Sequence, residues 1–121
     1  MTKKQFDHWL KQLGRAWMEK NPQIIADICA KNVVYHETPF TKPYKSPEAV
    51  KKLWQEVPQT QKDIKFNYRI LVVTKQFGLA QWSAEFTRKK ENKKVVLDGI
   101  FLVQLNRQGL CTLFKQWWVV K

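Results

Sequence analysis

The chain has 121 residues, enough for one domain with a real core and too few for two. Hydrophobic residues make up 44% of it, which excludes a disordered chain, and no run approaches the roughly 20 apolar residues of a membrane helix. The formal charge is +12, but only four of the 22 basic residues are arginine and the lysines are scattered, so a diffuse basic surface is expected rather than a specific nucleic-acid groove.

Residues 3 to 20 predict an amphipathic helix, because Phe6, Trp9, Leu10, Leu13 and Trp17 recur at spacings of three and four. Asn21 and Pro22 then stop one helix and start another, which carries Ile24, Ile25 and Ile28. "NVVYHE" (32 to 37) reads as a first strand closed by Pro39. "SPEAVKKLWQEV" (46 to 57) opens with a capping serine and a proline, and Val50, Leu53, Trp54 and Val57 share a face, which makes a third helix. From about Ile64 the period changes to two. Four strands follow, around "KFNYRILVV", "LAQWSAEFTR", "VVLDGIFLVQL" and "LCTLFKQWWVV", with short links that favour antiparallel hairpins.

The order α-α-β-α-β-β-β-β implies an α+β fold over residues 1–121. Three N-terminal helices pack on a curved antiparallel sheet and form a cone with an internal pocket. The N-terminus has no apolar signal region, and Cys29 and Cys111 lack metal-ligand spacing, so two reduced thiols in a cytoplasmic protein are expected. Two histidines, His8 and His36, and four single glycines supply neither a metal cluster nor a phosphate loop. No metal or cofactor is expected.

Asp98 stands out, an aspartate in mid-strand among apolar neighbours. It must be paired, solvated by a cavity, or protonated. Structurally it could simply hydrogen-bond a neighbour; functionally it could be the pocket's acid or base. If Val96, Asp98, Ile100 and Leu102 face inward, then Leu97, Phe101, Val103 and Leu105 face outward with Leu113, Trp117 and Val119. An apolar outer face of that size predicts a homodimer through the sheet. In "NVVYHETPF", regular alternation puts Val33, Tyr35 and Glu37 on one face and Val34 and His36 on the other. Tyr35 and His36 are both candidates for the pocket, with Glu37 a weaker one. Trp17, Trp54, Trp82, Gln116 and Trp118 lie on expected inward stripes. They complete a candidate ligand site with Tyr35 and Asp98, and the catalytic candidates are Asp98, Tyr35 and His36.

The element order, together with "YHETPF", "GLAQWSAEF", "LDGIFLVQLN" and "FKQWW", resembles the nuclear-transport-factor-2-like (SnoaL-like) superfamily over nearly the whole chain. An Arg-Glu-Trp-Trp ending is frequent in one bacterial group of that superfamily; here it reads Lys115, Gln116, Trp117, Trp118. The resemblance implies a cone with a hydrophobic pocket, frequent dimerisation through the sheet, and a choice among isomerases, dehydratases, epoxide hydrolases, cyclases and pure binding modules. In the steroid isomerase of this fold a carboxylate base works with a tyrosine and with an aspartate that its apolar site keeps protonated. Asp98 falls near that aspartate's strand position, but Thr38 stands near the base position and the first helix has no tyrosine. Three functions follow as expectations: a binder of a small apolar or aromatic molecule, an acid–base enzyme using Asp98, or a protein-interaction module using the sheet.

Overall fold

The computed structural model describes all 121 residues. Helices α1 (Lys3–Met18) and α2 (Pro22–Asp27) precede strand β1 (Cys29–His36). Helices α3 (Pro47–Trp54) and α4 (Glu56–Thr60) then lead into β2 (Gln61–Val73), β3 (Gly78–Arg88), β4 (Lys93–Leu105) and β5 (Cys111–Val120). The first three helices each start where a side chain can satisfy the first amides. Thr2 and Gln5 form a reciprocal capping box, with bonds of 3.1 and 2.9 Å. Asn21 Oδ1 accepts from the Gln23 amide at 3.1 Å, and Ser46 Oγ accepts from the Ala49 amide at 3.1 Å. The sequence predicts a third helix through Val57, but α3 ends at Trp54 and a separate short turn follows. Pro58 accounts for the break, because its ring would press on the carbonyl four residues back, that of Trp54.

The sheet order is β1-β5-β4-β3-β2. Strands β2 to β5 form consecutive antiparallel pairs, as their short links require. Strand β1 runs parallel to β5, with Tyr35 opposite Phe114 and His36 opposite Lys115, so the sheet is mixed rather than wholly antiparallel. No short link joins these two strands, and nothing in the connection forces them to oppose. The α1 stripe of Phe6, Trp9, Leu10, Leu13 and Trp17 is buried in one core with Val103, Cys111 and Phe114 among others.

Strand β3 alternates as expected, with Ala80, Trp82, Ala84 and Phe86 buried. Strand β4 has the opposite facing to that expected. Directly opposed residues in an antiparallel pair share a face, and the register sets Ala80 against Phe101, Trp82 against Gly99 and Ala84 against Leu97. Leu97, Phe101, Val103 and Leu105 therefore belong to the inner side, and Val96, Asp98, Ile100 and Leu102 to the outer. Gly99 makes this arrangement possible. A Cβ there would collide with the Trp117 carbonyl oxygen and come within 2.9 Å of the Trp82 indole, so only glycine lets Trp82 lie against the strand. The outer face keeps Ile100, Leu102, Leu113, Trp117 and Val119, but mixed with Gln81, Asp98, Gln104 and Lys115. It is less apolar than the sequence suggests.

Candidate functional site

At the wide end of the cone the helices and the sheet stand apart around a cavity of about 440 Å³. Each element contributes the side chain that its inward stripe carries there: Trp17 from α1, Tyr35 from β1, Trp54 from α3, Trp82 from β3, and Gln116 and Trp118 from β5. Six of the seven residues expected to bind a ligand thus line one space.

The aromatic walls are fixed to one another. The Trp17 ring lies 5.8 Å from Trp54, nearly edge-on, and 5.7 Å from Trp82. Trp17 Nε1 donates to Gln61 Oε1 at 2.8 Å, and Trp54 Nε1 donates to the Tyr35 hydroxyl at 3.0 Å. Tyr35 is stacked on Phe114 with centroids 4.2 Å apart and planes 5° off parallel. Its hydroxyl oxygen already accepts from Trp54, while its own proton meets no acceptor in the protein. Burial pushes the phenol well above its ordinary range, so Tyr35 is a neutral donor with one hydrogen bond to give. The Trp82 indole N–H is buried and unpartnered. Such a group normally has a partner, which makes the inner wall polar at one point without a protein atom to answer it.

Asp98 is absent from this space. It is exposed on the outer face, where Gln81 Nε2 donates to its two carboxylate oxygens at 3.2 and 3.3 Å. From that face it cannot touch a ligand in the cavity. The reason is definite: both faces of β4 are apolar on either side of Asp98, so alternation alone cannot orient the strand. His36 also points away, into a small outer cleft with Pro39, Lys115 and Trp117. Burial first, and then the Lys115 charge, hold its imidazole below the usual value.

Two carboxyls do reach the cavity, Glu56 from α4 and Glu37, which extends the Val33–Tyr35 face past the end of β1. Burial, and then the nearby Glu56, push Glu37 above the ordinary carboxylate range. The alternation of β1 is the signal for it. No three His, Cys, Asp or Glu side chains come together as a metal-ligand group.

A family model described as a SnoaL-like domain matches residues 10–114. No curated protein matches the sequence significantly. Among solved structures, the epoxide hydrolase/cyclase-like enzyme SalBIII, with a role in pyran ring formation in the polyether salinomycin, superposes with a TM-score of 0.82 at 11% identity, over 98% of this chain and 95% of its own. A hexachlorocyclohexane dehydrochlorinase, LinA type 2, gives 0.77 at 11% identity over 98% and 88%. A protein of ketosteroid isomerase-like fold from Catenulispora acidiphila, in complex with trimethylamine, gives 0.78 at 10% identity over 90% and 83%. At such identities the likeness is one of fold, and this fold carries several chemistries.

Proposed function

This chain belongs to the SnoaL-like domain family of the nuclear-transport-factor-2-like superfamily, and we propose that it binds a small apolar or aromatic molecule in the cavity at the wide end of its cone. One observation carries the reading. A space of about 440 Å³ is walled by Trp17, Trp54, Trp82 and Trp118 and offers the free Tyr35 O–H and the Gln116 amide as polar handles. That volume, with an apolar lining and few polar groups, suits a molecule of one or two rings. Rings held edge-on and tilted by their own hydrogen bonds lose little freedom when a ligand enters.

Calorimetric titration with naphthol tests this. The wild type should bind it, and Trp118→Ala should weaken binding about tenfold through lost aromatic contact. A wild type that takes up no bicyclic aromatic at millimolar concentration sinks the proposal.

A second reading is acid–base catalysis on an apolar carbonyl- or epoxide-bearing substrate, with Glu37 in the role first given to Asp98. The raised Glu37 carboxyl beside a neutral tyrosine favours it, since a general acid or base works best when its pKa nears the ambient pH. Its signature is a Glu37→Gln variant that still binds naphthol but loses turnover of such a substrate; equal turnover in both proteins rules Glu37 out.

The outer face, with Ile100, Leu102, Leu113, Trp117 and Val119, supports a homodimer through the sheet. Trp117 and Val119 are 45% and 70% exposed. Sedimentation at the 14.5 kDa mass of one chain, at micromolar concentration, would refute it. The free, buried Cys29 and Cys111 fit a reducing compartment such as the cytoplasm.

A further inference from the structure

The rim of the cavity on the β3–β4 hairpin carries two cations that take part in no ion pair. Arg88 and Lys93 are directly opposed across the hairpin, and both line the cavity. Opposed residues share a face, and like charges in that position destabilise a sheet. The protein's four ion pairs are Asp7–Lys11, Arg15–Glu19, Glu85–Lys65 and Glu85–Lys94; neither Arg88 nor Lys93 takes part in any. Glu56, also on the cavity's edge, pairs with neither. Of the hairpin's other lysines, Lys94 is paired with Glu85 and Lys89 Nζ donates to the Pro58 carbonyl at 2.7 Å, while Lys90 is exposed in the turn and lies outside the cavity.

Arg88 is also held in place. Its guanidinium carbon stands 5.6 Å from the centroid of Phe86, a buried wall of the same cavity, and the side chain is half-buried. A planar fork fixed over an aromatic ring suits two-point recognition of a carboxylate. Trp82 and Trp118 of the cavity lie further in on the same sheet face. Glu37 and Glu56 line the cavity as well and would disfavour an anion close to them.

We propose that Arg88 and Lys93 form an anion subsite, and that the cavity's ligand is an amphipathic aromatic or alicyclic carboxylate whose ring enters the tryptophan walls while its carboxylate stays at the rim. This rests on the binding function proposed above. The subsite relieves the Arg88–Lys93 repulsion when it is filled, which a neutral ligand cannot do.

The general positive field of a +12 chain would also attract anions, so the test must separate a site from a field. Naphthoate and its neutral isostere naphthamide are titrated calorimetrically at about 150 mM salt, where long-range attraction is largely screened. Three proteins are compared: wild type, R88Q/K93Q, and K3Q/K4Q, which removes the same charge from the exposed start of α1. Naphthoate should bind the wild type about tenfold more tightly than naphthamide, the scale of a charge-assisted bond. The ratio should fall to near one in R88Q/K93Q and persist in K3Q/K4Q. Arg88→Lys, a milder change that keeps the charge and loses the fork, should reduce the ratio in part. A ratio near one in the wild type, a ratio that survives in R88Q/K93Q, or one that falls equally in K3Q/K4Q overturns the subsite. Naphthamide binding without acid preference overturns the subsite alone; no binding of either probe overturns it together with the cavity reading.

Discussion

The two ends of the cone are built from the same kinds of side chain and use them differently. At the narrow end Phe6, Leu10, Val103 and Cys111 are almost wholly buried, and Trp9 donates its indole N–H to a backbone carbonyl, that of Ile28, at 2.9 Å. At the wide end Trp17 and Trp54 donate to side chains, Gln61 and Tyr35, and a space remains between the rings. An indole anchored to the backbone is filling; an indole anchored to another wall residue keeps a wall upright. The difference separates stability from binding within one aromatic core.

The largest effect should come from the narrow end. Phe6 is fully buried and packs against Gly78, so Phe6→Ala should cost about 3–5 kcal/mol in chemical denaturation. Trp118→Ala, half-exposed on the cavity wall, should cost under about 1.5 kcal/mol. Equal losses would mean that the wide end is core as well.

A smaller effect should come from Glu37. Its carboxyl is raised in the folded protein, so the folded state holds the proton more tightly than the unfolded one. The stability it contributes is complete below the ordinary carboxylate range and is lost as pH rises through the raised value. Asp7, Glu19 and Glu85 are shifted the other way by their partners, so the difference between wild type and variant is the quantity to read. Glu37→Gln should be more stable than wild type at neutral pH by a few tenths of a kcal/mol, as expected for a partly exposed charge. That advantage should vanish towards about pH 4, and a constant difference across that window would remove Glu37 from the cavity's electrostatics.

The smallest effect should be at Asp98. Asp98→Asn alters an exposed outer-face contact with Gln81 and should change stability by no more than about 0.5 kcal/mol. Naphthol affinity should be unchanged, and a tenfold loss would return Asp98 to the site.

Most of the architecture is legible in the sequence because it depends on local pattern: the α1 stripe, the Asn21–Pro22 and Ser46–Pro47 starts, and the clean alternation of β3. The cavity's tryptophans follow from the same stripes. Two features are not legible. Strand β4 is apolar on both faces around Asp98, so its facing is decided by its register with β3, and Asp98 itself points outward. The parallel seat of β1 beside β5 depends on a pairing between distant segments that no local signal records. Glu37 lies on the right face by simple alternation, but its raised carboxyl depends on burial in the assembled cavity and on Glu56 arriving from α4.

The pairing of β1 with β5 also bears on the order of assembly. Strands β2 to β5 can zip together through successive hairpins, each closing a short loop, whereas β1 must find β5 from near the opposite end of the chain. Tyr35 and Glu37 ride on that late strand, and the Trp54–Tyr35 bond cannot form until it docks. A refolding chain should therefore complete its hairpin sheet first and close the cavity last, and stopped-flow refolding in which ligand binding returns together with the secondary structure would contradict this order.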